Sequence, residues 1–147
     1  MAVLVFPGDF SPVHVGHLLM VQQAVLRLER AGYDVLAGWL APMPGGQLSP
    51  GFRLAAVREA VQAEKLLEVS SWALRQEPVK ELEVLESLRK ALVEETGLSS
   101  KSAPRVRVVA ICGADDTKKY QNLKPQEMLG LVVVPQPGEE EFLLERP

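Results

Sequence analysis

An unbroken apolar run, Ala2 to Phe6 (A-V-L-V-F), is followed at once by a loop crowded with Gly, Pro and Asp, and then by a segment of helical periodicity. No other feature constrains the fold as strongly. Consecutive apolar residues suit a strand buried on both faces rather than one lying on a solvated sheet. From His17 to Ala31 the residues Leu18, Val21, Val25 and Leu28 return every three or four positions, with Gln22, Gln23, Arg27, Glu29 and Arg30 on the other face. That is an amphipathic helix. Gly32 stands at a C-cap-like stop, and Tyr33 to Leu40 (Y-D-V-L-A-G-W-L) reads as the next strand. Strand, helix, strand is a βαβ unit, with parallel strands and a right-handed crossover.

The rest continues the alternation. Ala41 to Gly51 holds three prolines and three glycines, so it is an irregular loop. It lies at the C-terminal end of the second strand, the edge at which open α/β sheets bind ligands; it is either a surface connection or a substrate loop. Phe52 to Glu64 is a second helix, with Leu54, Val57 and Val61 inward and Arg53, Arg58 and Glu59 less buried. Leu66 to Ser70 is a short strand leading to Ser71 and Trp72. Val79 to Glu95 is the longest helix, with Leu82, Leu85, Leu88 and Leu92 on one face and a Glu86–Lys90 pair on another. A polar loop, Gly97 to Pro104, precedes the strand Arg105 to Cys112. That strand runs into Gly113-Ala114-Asp115-Asp116, where backbone can approach a ligand closely and the acids can accept from sugar hydroxyls or a base amine. The same residues equally suit a turn and an Asp N-cap for a short helix, Thr117 to Asn122. Leu129 to Val134 is a last strand, and Glu139 to Pro147 an acidic tail.

The 147 residues suit one domain with a real core, and 47% hydrophobic with 24% charged residues is a globular balance. No apolar run is long enough to span a bilayer, and Met1 is not followed by a basic signal-peptide region. A single cysteine, Cys112, excludes an internal disulfide framework and suits a reducing compartment. The net charge of −3 argues against a duplex-binding protein. The expectation is an intracellular α/β domain, cytoplasmic or nuclear, with neither membrane nor nucleic acid as partner.

Both histidines of the chain, His14 and His17, fall in the Pro7–Leu19 loop, three residues apart. A strand-to-helix loop can aim backbone N–H groups and the positive end of a helix dipole at an anion. Two imidazoles beside it suggest a phosphate site. H-x-x-H alone also suits a metal, a helix cap or core histidines. Zinc needs three or four protein ligands, and no Cys/His cluster supplies them.

The stretch G-D-F-S-P-V-H-V-G-H-L resembles the G-x-F-x-P-x-H-x-G-H signature of the HIGH-motif nucleotidyltransferases, through Gly8, Phe10, Pro12, His14, Gly16 and His17. Later segments resemble the nicotinamide/nicotinic acid mononucleotide adenylyltransferases, particularly the eukaryotic type: Tyr33 to Pro42, Ser71-Trp72, I-C-G-A-D at Ile111 to Asp115, and G-L-V-V-V at Gly130 to Val134. The resemblance implies a single Rossmann-like domain over residues 1–147, a parallel sheet with helices on both faces. It implies adenylyl transfer from ATP to a pyridine mononucleotide, with Mg²⁺ on the ATP oxygens and self-association common. It implies that His14 and His17 bind the ATP phosphates, that backbone from Gly8 through Asp9 to Phe10 holds the incoming phosphate, and that Gly16 belongs to the same motif. It further implies that Trp72 stacks on the pyridine ring and that Gly113 and Asp115 meet ribose or base.

The chain departs from the family pattern at several points. Asp9 stands where Ser or Thr is usual, and Ala73 replaces the Glu that follows the Trp. No lysine lies between Ala41 and Phe52; Arg53 is the nearest cation for that phosphate-binding role. Gln136 occupies the place of a late Arg. No I-S-x-T-x-x-R segment follows, and Arg146 is the only late cation. The expectation is a curtailed C-terminal phosphate site. Two alternatives therefore stand beside the leading one: a related transferase with another phosphorylated substrate, or a non-catalytic nucleotide-binding, regulatory domain.

Overall fold

The apolar runs become the strands of one parallel sheet flanked by helices, the α/β Rossmann-like arrangement. A computed structural model describes residues 1–10, 13–45, 48–76, 78–96, 106–123 and 129–134. Pro12, the 97–104 loop, Gln136, Arg146 and the acidic tail lie outside the described residues. In chain order the elements are β1 (Ala2–Gly8), α1 (Val15–Arg30), β2 (Val35–Pro42), α2 (Pro50–Val61), β3 (Leu67–Val69), a 3₁₀ turn (Ala73–Arg75), α3 (Glu81–Thr96), β4 (Arg107–Cys112), a second 3₁₀ turn (Ala114–Tyr120) and β5 (Leu129–Val133). The strands lie in the order β3-β2-β1-β4-β5.

Period-two alternation divides the core. Ala2, Leu4 and Phe6 of β1, with Val109 and Ile111 of β4, meet Met20, Val21, Ala24 and Leu28 of α1 and Val57 and Val61 of α2. Val3 and Val5, with Val108, Ala110 and Cys112, meet Val84 and Leu85 of α3 and Tyr120. Helices thus cover both faces, which is why β1 from Ala2 to Phe6 and β4 from Val108 to Cys112 carry apolar residues at every position. No described helix is long and apolar enough to cross a membrane.

Several boundaries move for local reasons. β1 runs two residues past Phe6 because Pro7 and Gly8 keep pairing with Ala41 and Pro42. α2 starts at Pro50 rather than Phe52: Ser49 is its N-cap, accepting from the Phe52 N–H at 3.2 Å, and Pro50 suits the first turn. Arg53, expected to be less buried, is fully buried. The short helix after β4 begins at Ala114, with Gly113 at its N-cap position and no side-chain cap. Asp115 and Asp116 therefore sit in its first turn instead of capping it.

Candidate active site

From β1 the chain steps to β2 and β3 on one side, whereas β4 and β5 lie on the other. Between β1 and β4 the direction of winding reverses, and a crevice opens outside their carboxyl ends. It holds a cleft of about 410 Å³. Gly8, Asp9, Phe10, His14 and His17 line it from the β1 side; Cys112, Gly113, Asp116, Lys119 and Tyr120 line it from the β4 side, joined by Glu81 from α3.

The histidines build the start of α1. His14 is the N-cap: its Nδ1 accepts from the Gly16 N–H at 3.1 Å, while the His14 N–H donates to Nδ1 of His17 at 3.0 Å. This reciprocal arrangement is a capping box made from imidazoles instead of Ser and Glu. An accepting Nδ1 carries no proton, so in each neutral ring the hydrogen is on Nε2, leaving that N–H as the donor for a ligand. The rings stack with centroids 3.9 Å apart. Burial, then the neighbouring His14, pushes the His17 pKa down from 6.5 to about 4. His17 is therefore neutral near pH 7. The cap reading and the placing of both rings in one cleft hold together.

Phe10 supports this pair from below. It is buried, adopts φ 46°, and sets its ring edge-on to Phe6 and His17 at centroid distances of 5.4 and 4.9 Å. A bulky residue in the left-handed region is strained, and its surroundings must hold it there. A Cβ on Gly8 would come within 3.1 Å of the Phe10 ring, and one on Gly16 within 2.8 Å of His14 Cε1. Both glycines make room for the aromatic side chains above them.

The charges of Asp9 and Arg53 meet. Arg53 Nη1 lies 3.5 Å from Asp9 Oδ1 and donates to the Asp9 and Met43 carbonyls at 2.8 and 2.7 Å. Its Nη2 donates to Gly45 O at 2.7 Å and its Nε to Leu48 O at 3.2 Å. The guanidinium thus clamps the loops after β1 and β2 together from beneath, and it does not line the cleft. Its effect on the site is positional.

On the other wall, Lys119 Nζ lies 3.1 Å from Glu81 Oε2 and 3.2 Å from Asp116 Oδ1. Burial alone would lower the Lys119 pKa; the hydrogen bonds to those carboxylates outweigh it and raise the pKa. Burial pushes the Cys112 thiol up to about 11 and raises Tyr120 as well, so neither ionises near neutrality. Among the described residues no three His, Cys, Asp or Glu side chains cluster to hold a metal ion.

The remaining expected residues divide. Gly113 lines the cleft, but Asp115 is exposed and does not; its neighbour Asp116 does. Trp72 is half-buried beside a separate cavity of about 190 Å³, with Trp39, Ser70 and Leu88 among its walls. The sequence reading missed Glu81, Lys119 and Tyr120 and gave Asp116 no separate place. The i,i+3 spacing of Asp116 and Lys119 was a usable signal; nothing local tied Glu81 to them.

A family model described as Cytidylyltransferase-like matches residues 5–132. The nicotinamide/nicotinic acid mononucleotide adenylyltransferase of Oryza sativa subsp. japonica is 32% identical over 121 residues, which are 78% of this chain and 47% of that protein. A Gluconobacter oxydans protein assigned as a nicotinate-nucleotide adenylyltransferase is 28% identical over 145 residues, 94% of this chain and 68% of that protein. The chain thus spans about half the length of the plant relative. A Vibrio parahaemolyticus crystal structure, assigned likewise as a nicotinate-nucleotide adenylyltransferase, superimposes with a TM-score of 0.64 at 14% identity, over 91% of this chain and 77% of that one.

Proposed function

The chain belongs to the cytidylyltransferase-like family, and from that premise we propose that it transfers the adenylyl group of ATP to nicotinamide or nicotinate mononucleotide. One observation carries the reading: two imidazoles, each with Nδ1 engaged by backbone, line a cleft at the switch point of the sheet. They offer two imidazole N–H donors beside the N-terminus of a long helix, an arrangement suited to phosphate oxygens. In the proposed step an oxygen of the mononucleotide phosphate attacks the α-phosphorus. A new O–P bond forms as the bond from the α-phosphorus to the bridging oxygen breaks, and pyrophosphate leaves with that oxygen and the electron pair. The nucleophile is already anionic, so no side chain has to remove a proton. A His17 that stays neutral donates a hydrogen bond throughout, stabilising charge on the equatorial oxygens.

His14 and His17 are the proposed catalytic donors, and backbone at Gly8 to Phe10 the proposed seat of the attacking phosphate. Gly113 is proposed to give the nucleotide close passage beside β4. The cavity next to Trp72 is the proposed place for the pyridine ring, whose flat face suits an indole. Mg²⁺ belongs to the proposal as the companion of ATP. Such an ion usually relies on substrate phosphates rather than on a protein cage.

A coupled assay for dinucleotide formation from ATP with each mononucleotide tests the reading. His17→Ala should lower turnover on the order of a hundredfold or more, since it removes one transition-state donor. Nucleotide binding without turnover in the unmodified chain would instead make it a non-catalytic binder.

A further inference from the structure

Among the described residues Lys119 is the only lysine or arginine lining the cleft, where it shares the walls with Asp9, Glu81 and Asp116. Asp9 is answered by Arg53 from below. Lys119 is held from two directions, by Glu81 at the start of α3 and by Asp116 one turn earlier on its own element. An ammonium has three N–H donors in tetrahedral array. The two carboxylates account for two of them, and the side chain remains half exposed. A free lysine would spread its ammonium over many rotamers; here much of that freedom is given up before a ligand arrives. A cation prepositioned with one donor left over suits an oxygen anion better than it suits a strut, which two direct bonds would already complete.

We infer that Lys119 is a phosphate-binding residue of the cleft, its third N–H directed to a phosphate oxygen of bound nucleotide, with Glu81 and Asp116 as its positioning residues. This rests on the reading of the cleft as a nucleotide site. The phosphate can come from ATP or from the mononucleotide, and the two are distinguished by titrating them separately.

Calorimetric titration of the full chain with ATP, nicotinamide mononucleotide and adenosine provides the test. Lys119→Ala should weaken ATP or the mononucleotide by about tenfold or more, the size of one lost charge-assisted bond. Adenosine, which has no phosphate, should bind as before, and Lys119→Arg should restore most of the loss. Equal loss of ATP and adenosine would reveal a strut and overturn the inference. So would an alanine variant that binds both nucleotides like the parent, leaving the nucleotide reading intact. A parent chain that binds neither nucleotide would overturn both. A second measurement needs no variant: saturating ATP or mononucleotide should protect Lys119 from amine-reactive acylation, read by peptide mass spectrometry. Undiminished labelling with both would overturn the assignment.

Discussion

A half-buried imidazole stacked on another imidazole holds a proton poorly, and for His17 this has a thermodynamic sign. Its pKa is about 4 in the fold against 6.5 as an unperturbed group. Between those values the unfolded chain binds more protons than the native one, so stability rises with pH there. The contribution is complete above pH 6.5, declines as pH falls, and is fully lost below about 4. Urea midpoints measured at pH 7 and 4.5 should separate more in the parent than in His17→Gln. An equal separation in both would remove His17 as the source. Arg53 shows where residue-level reading stops. Arg53, Val57 and Val61 fall on one stripe of α2, a spacing that points Arg53 inward, and all three are buried. Its four carbonyl partners come from irregular loops with no periodicity to expose them, so the spacing carried its burial but not its pairing with Asp9.

At the scale of elements, the start of α1 sets two demands against each other. Alanine is better than glycine within a helix by about 1 kcal/mol, yet a Cβ on Gly16 would press on His14 at 2.8 and 2.9 Å. Gly16→Ala should therefore lower ATP affinity and turnover by displacing His14, without the gain in melting temperature that propensity alone predicts. A stabilised variant with unchanged turnover would show that the ring has room to move. The H-x-x-H spacing was legible as a site because it is local: N-cap and third helical residue lie three positions apart in any helix. The wall built by Glu81, Asp116 and Lys119 was less legible because it joins two elements separated by β4.

At the scale of the molecule, five apolar runs announced five strands and the βαβ opening announced their parallel sense. Which neighbour each longer strand would choose was not legible, since runs as apolar as Ala2–Phe6 and Val108–Cys112 can sit anywhere in a two-sided sheet, whereas Glu68 already suits β3 to an edge. The chosen order has a consequence in time. Ala2 pairs with Val35 on one side and with Arg107 on the other. Closing the longer loop costs more chain entropy, and distant parallel pairing is slow. Pulsed hydrogen exchange during refolding should find the β1–β2 amides protected before those joining β1 to β4; simultaneous protection would refute that sequence. Since one wall of the cleft hangs on each pairing, a half-folded chain already carries its histidines while the pocket they serve does not yet exist.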